Sequence, residues 1–197
     1  MKLDVPDADA WMFDLIAQDD VLRGRALARY RDLMARESGL SYGSDGERTI
    51  YWYLTAHWYR EPWGTITFDQ WPFVALYLRW EGRFPDEWRT AGGWSPWSVK
   101  KGVLERLGRK GVPAEARPEA ADLLVDALHR PYRCKDWMYA LLVRHVVDAE
   151  FRGRLTTLAG ADDPLVVLRA RFLLHLADRP EHNVTRKTWL RWLESLN

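Results

Sequence analysis

Asp69-Gln70-Trp71-Pro72-Phe73-Val74-Ala75-Leu76-Tyr77-Leu78-Arg79-Trp80 carries apolar side chains at nearly every position, with no strand-like alternation. Wound as a helix, residues 73–80 are apolar almost all round, and such a helix must be enclosed by other elements. The stretch therefore predicts a central helix, with Val74, Leu76, Tyr77 and Leu78 in the core. Thr67-x-x-Gln70 has the form of a capping box, but starting the helix there would put Pro72 at its fifth position, where the ring and the missing N–H disturb the ladder. Asp69 as N-cap leaves Pro72 in the first turn, where no amide partner is needed.

Helical signals continue on both sides. Upstream, Asp7 and Asp9 offer N-caps before Trp11, Met12, Leu15 and Ile16, and Asp20 offers one for a helix carrying Leu22, Ala26, Leu27, Tyr30, Leu33 and Met34, closed near Gly39. Residues 42–46 read as a loop, and Glu47 to about Arg60 as a third helix ended by Pro62. Downstream, Gly82, Pro85, Gly92, Gly93 and Pro96 predict an ordered, aromatic-pinned loop over 82–97. Ser98 then caps a short helix through Val103, Leu104 and Leu107 that Gly108 closes, and 111–118 reads as a linker.

The remainder reads as helices near 119–129, 133–147, 149–159, 164–178 and 184–196, with turns at Pro131, Gly160 and Pro180. An offset of 32 residues aligns Leu141-Leu142 with Leu173-Leu174, Arg154 with Arg186, Thr156 with Thr188 and Leu158 with Leu190. That period lies in the range of helical solenoid units, which bury their apolar faces by stacking on one another. In Asp162-Asp163-Pro164-Leu165-Val166-Val167-Leu168-Arg169-Ala170-Arg171 an acidic-Pro helix start is followed by Val and Arg, and in this the segment 119–197 resembles the HEAT-like repeat family. The local reason is that Asp163 caps and Pro164 fits the first helical position. The fold expected is all-α, with about nine helices: an irregular aromatic-rich bundle over 1–110 leading into a short HEAT-like stack over 119–197, packed as one body.

Composition excludes several classes. The 197 residues hold 29 Lys plus Arg against 28 Asp plus Glu, a net charge of +1, so no polyionic tail is present. The balance hides an asymmetry: residues 1–98 carry 11 basic and 15 acidic side chains, residues 99–197 carry 18 and 13. A single cysteine, Cys134, cannot make an internal disulfide, and the acidic N-terminus lacks the apolar segment of a secretory leader. No apolar run has the roughly 20 residues of a membrane span. A cytoplasmic location, no cofactor and no membrane partner are expected. No His-x-x-x-His pair or Cys cluster suggests a metal. His145 and Asp148 are spaced for an i,i+3 surface hydrogen bond. Phosphate-loop and Gly-x-Ser-x-Gly signatures are missing.

Tryptophan is the anomaly: eight of the 12 lie between Trp52 and Trp97. A rigid indole fills irregular space between helices, or lines a pocket for a flat or cationic group. Core packing accounts for most of them; Trp58, Trp63, Trp71, Trp94 and Trp97, with Arg60, are the ligand-facing candidates. His57, as a residue whose unperturbed pKa lies close to working pH, with Asp69 or Glu81 as its orienter, is the proton-handling candidate, and His57 with Asp69 is the pair favoured. The function expected is a non-catalytic module that recognises a protein or an aromatic or cationic ligand through the Trp-rich groove and the helical-repeat surface. The alternative is an enzyme with a Trp-lined pocket. Its most specific version is a DNA base glycosylase, because HEAT-like glycosylases combine a basic repeat surface with aromatic residues. Arg130, Arg133, Lys135, Arg144, Arg152, Arg154, Arg169, Arg171, Arg186, Lys187 and Arg191 would supply that surface, unless they pair with neighbouring acids.

Overall fold

The structure is a computed structural model that describes residues 5–36, 48–55, 65–92 and 95–196. Among these residues it is all-helical. Ten α-helices form: α1 (Asp20–Arg36), α2 (Ile50–Thr55), α3 (Trp71–Arg83), α4 (Pro85–Thr90), α5 (Pro96–Lys110), α6 (Arg117–His129), α7 (Val143–Val146), α8 (Ala149–Leu158), α9 (Pro164–Ala177) and α10 (Arg186–Glu194). Three 3-10 helices accompany them, over Asp7–Ile16, Ala114–Ala116 and Asp136–Leu142. No described helix is long and apolar enough to cross a membrane. The chain divides into two compact units, Met1–Val103 and Leu104–Asn197, and the division falls inside α5 rather than in the segment 111–118.

In the N-terminal unit α3 is the core element, with Phe73 to Leu78 all buried and Trp71 and Trp80 enclosed beside them. An aromatic chain runs outward from it. Tyr30 of α1 meets Trp80 edge-on at 5.2 Å, Tyr51 of α2 meets Tyr77 at 5.9 Å, Tyr77 meets Trp88 of α4 at 5.4 Å, and Trp88 meets Trp97 of α5 at 4.8 Å. Tyr53 stacks on Phe73 with ring centres 3.5 Å apart, and Phe13 closes on the same Phe73 at 5.7 Å. Gly92 allows this packing, since a Cβ there would stand 2.9 Å from the Tyr51 ring.

Several helix starts differ from expectation for identifiable reasons. Asp69 does not cap α3; it is exposed in the preceding turn, and the N-cap is Gln70, whose Oε1 accepts from Thr67 N at 3.1 Å. Half of the capping box thus forms, one turn ahead of the helix. Asp19, not Asp20, caps α1 by accepting from Val21 N and Leu22 N at 2.8 and 3.1 Å. Those two backbone bonds hold the Asp19 carboxyl below its ordinary pKa. Asp9 is no cap either: it is buried and accepts from the Tyr53 hydroxyl. The segment 82–97 is largely helical rather than a loop, because Pro85 and Pro96 each open a helix, where their missing N–H costs nothing. Ser98 lies inside α5, which runs past Gly108 to Lys110 and is followed by Gly111 at φ 96°. The predicted ends near Gly39 and Arg60, and the loop at 42–46, lie outside the described residues.

In the C-terminal unit α9 packs against α6, α7 and α8. Its buried positions Val166, Ala170, Leu173 and Ala177 recur at helical spacing. Asp163 caps it, accepting from Leu165 N at 2.8 Å and Val166 N at 3.4 Å, with Pro164 first in the helix as its sequence requires. Residues 133–147 are not one α-helix. Lys135 takes a left-handed backbone at φ 67°, and the Asp136 carboxylate accepts from Arg133 N at 2.7 Å, so the chain turns and restarts as a 3-10 helix. His145 and Asp148 do not bond to each other as their spacing suggests. His145 Nε2 lies 2.9 Å from the Gly108 carbonyl, and Asp148 caps α8 by accepting from Phe151 N at 2.8 Å.

Candidate functional site

In the N-terminal aromatic segment Trp71, Trp80 and Trp88 are core residues, and Trp52 is half-buried. Trp71 is 0% exposed and Trp88 1%, so Trp71 is a core residue rather than part of a ligand groove. Trp97 is half-buried against Trp88 and lies 5.6 Å from the Lys100 ammonium. His57, Trp58, Arg60, Trp63 and Trp94 lie outside the described residues, and so therefore does the His57–Asp69 pairing.

The unit holds two polar constellations. Lys100 Nζ stands 3.4 Å from Glu81 Oε1, with both side chains fully enclosed. Near the other end of the core, Tyr53 donates to Asp9 and accepts from Arg48 Nη1 at 3.4 Å. Burial first, and the Asp9 hydrogen bond second, push the Tyr53 phenol up to about 12. The first pair lies wholly inside the packed core, whereas the second joins the buried Asp9 and Tyr53 to the exposed Arg48.

The cavity is in the C-terminal unit. It holds about 490 Å³ and is enclosed by α6, the 3-10 helix 136–142, α9 and the start of α10. Its floor is apolar and buried: Leu124 and Leu128 of α6, Tyr139 and Ala140, and Phe172 and Leu173 of α9. Its mouth is aromatic and wet, with Tyr132 61%, Trp137 41% and Leu165 58% exposed. Trp189 of α10 forms a side wall and meets Phe172 edge-on at 4.7 Å.

Local sequence explains how each wall is held. The left-handed turn at Lys135 starts the 3-10 helix, which sends Trp137 to the mouth and Met138, Tyr139 and Ala140 inward. Thr185 caps α10, accepting from Thr188 N at 3.1 Å, and this fixes Arg186 and Trp189 at the rim. Arg169 reaches from α9 to the end of α6, where Nη1 donates to the carbonyls of Leu128 and Arg130, both at 2.8 Å. Those are the carbonyls a helix C-terminus leaves without an internal partner.

The site's electrostatics follow from the same contacts. Asp136 is engaged at both oxygens, Oδ1 by Arg130 Nη2 at 2.8 Å and Oδ2 by Arg133 N. The lining contains no His, Cys, Ser or Lys, and the one lining hydroxyl on a threonine is committed to the cap of α10. Such a lining has the chemistry to enclose an apolar group. No cluster of three His, Cys, Asp or Glu side chains suited to a metal occurs among the described residues.

Four of the eleven basic side chains that would supply a phosphate-facing stripe are engaged elsewhere. Arg152 pairs with Asp178 at 2.6 Å and donates to Ala177 O at 2.8 Å, and Arg154 pairs with Asp122 at 2.8 Å. Arg130 serves Asp136, and Arg169 holds the end of α6. Ion pairing for Arg130, Arg152 and Arg154, and bonding to the end of α6 for Arg169, describe these four residues.

The density of tryptophan along the chain does not point to this cavity. Two of the four tryptophans outside 52–97, Trp137 and Trp189, face it, and they lie 52 positions apart on separate elements. The legible hint was local: an exposed-side Trp beside a turn at 131–136, and Phe172 and Trp189 both in the half read as stacked helices. Comparison with family models, with curated proteins and with solved structures finds no match for this chain.

Proposed function

We propose that this chain is a non-catalytic binding module, and that its binding site is the cavity of the C-terminal unit rather than the Trp-rich segment of the N-terminal one. The observation that carries this is the combination of a buried apolar floor with an exposed aromatic mouth, in a cavity of about 490 Å³. Ligand sites of soluble proteins fall at roughly 300–1,000 Å³ and have this apolar lining with a few placed polar groups. Large apolar side chains left in water at one mouth are what a site awaiting an apolar partner looks like. The capped start of α9 at Asp163-Pro164 supports the further reading of 119–197 as a HEAT-like stack. A lone, exposed Cys134 supports a reducing, cytoplasmic setting.

Calorimetric titration with naphthalene derivatives tests the reading. Saturable, one-site binding is expected. Trp137→Ala removes a solvent-exposed ring at the mouth and should weaken binding about tenfold, since an aromatic contact is worth roughly 0.5–1.5 kcal/mol beyond its buried area. Leu168→Trp fills the cavity and should abolish binding while the helical circular dichroism is retained. A panel of aromatic compounds that gives no saturable heat removes the proposal.

A further inference from the structure

The charges around the cavity are not balanced. Three charged residues line it, Asp136, Arg169 and Arg186. The Asp136 carboxylate is neutralised from behind by Arg130 and by a backbone N–H. Arg169, half-buried in the wall, spends Nη1 on two carbonyls, which are neutral groups. A guanidinium has five N–H donors, so the Nε and Nη2 donors of Arg169 are left over, and no carboxylate pairs with it among the described residues. Arg186, at the first position of α10, has no ion pair among the described residues. Its helix has no acid in the first turn, and the positive end of that helix adds the same sign.

Resting on the reading of this cavity as the binding site, we propose that its ligand is a small aromatic carboxylate: a flat apolar body seated among Trp137, Phe172 and Trp189, with its anionic head between Arg169 and Arg186. Aromatic walls by themselves favour cations as readily as neutral rings. Here two cations without carboxylate partners face the cavity, and a ligand ammonium would meet like charge on both sides. A carboxylate instead takes charge-assisted hydrogen bonds from planar guanidiniums, which match its geometry. The sequence pointed to an aromatic or cationic ligand; the arrangement of charge in the cavity reverses the sign of its head group.

Three matched probes test this on the full chain by isothermal titration: naphthylacetate, naphthylacetamide and naphthylethylammonium. The acetate should bind about tenfold more tightly than the amide, with the ammonium weakest, and added salt should narrow the gap between acetate and amide. Arg186→Gln, at an exposed position, should weaken the acetate far more than the amide and so bring the two affinities close together. Equal binding of acetate and amide, a preference for the ammonium, or an acetate preference that survives Arg186→Gln overturns the proposal and leaves the cavity as a neutral site. Failure of all three probes to bind overturns the binding module itself.

Discussion

Gly108 and Gly153 are both helical glycines, yet the space around them differs. A Cβ on Gly108 would stand 2.6 Å from Leu141 Cβ, so α5 and the 3-10 helix 136–142 touch through this glycine. Gly153 on α8 has nothing within 4 Å. Gly108→Ala should therefore destabilise by about 1–3 kcal/mol through overpacking, whereas Gly153→Ala should stabilise by about 0.5–1 kcal/mol through helix propensity. Thermal unfolding checks both, with roughly 4–8 °C per kcal/mol expected for a unit of this size. Gly108 looked in sequence like a helix stop, because a glycine after Leu107 has the composition of one. What that position serves is a close approach, and only the neighbour across the contact reveals it.

Caps and buried pairs belong to the element scale. Asp163 and Asp148 each satisfy free N–H groups at the start of a helix, so Asp163→Ala and Asp148→Ala should each cost about 1 kcal/mol in urea unfolding. Asp69→Ala should leave the midpoint within about 0.5 kcal/mol, since the exposed Asp69 caps nothing. The Asp163 cap was readable because cap, proline and apolar face lie within a few residues. The cap of α3 was not, because Gln70 also donates Nε2 to the Tyr53 carbonyl at 3.2 Å, a contact across 17 positions. Between α3 and α5, the enclosed Glu81–Lys100 pair predicts a further asymmetry. Lys100→Met removes the cation beside the enclosed Glu81 and should cost about 3–5 kcal/mol, and adding Glu81→Leu should recover much of it. The double-mutant cycle, read by chemical unfolding, checks that the coupling is of this sign.

At the scale of the whole molecule, the enclosed phenols tie stability to pH. Burial raises the pKa of Tyr30, Tyr51 and Tyr77 above the ordinary phenol value, and Tyr53 rises to about 12. A folded pKa above the unfolded one favours the protonated native state. The resulting stability is fully present below pH 10 and is lost as pH rises toward 12. The molecule should thus unfold on the alkaline side with phenolate absorbance appearing together with loss of helix, and Tyr53→Phe should make stability less steep in pH over that window. Phenolate absorbance appearing while helix is fully retained would contradict this. The all-helical class, the central position of 73–80, the start of α9 and the core role of Trp80 and Trp88 were determined by the sequence itself, because periodicity, caps and apolar content act over one or two turns. The cavity and the sign of its charge were decided only by tertiary structure. They depend on Trp137, Arg169, Phe172 and Arg186 meeting from separate elements, and on Arg130 reaching Asp136 to leave Arg169 and Arg186 without carboxylate partners among the described residues. Which charges cancel is a matter of distances of a few ångströms, and spacing along the chain does not encode it.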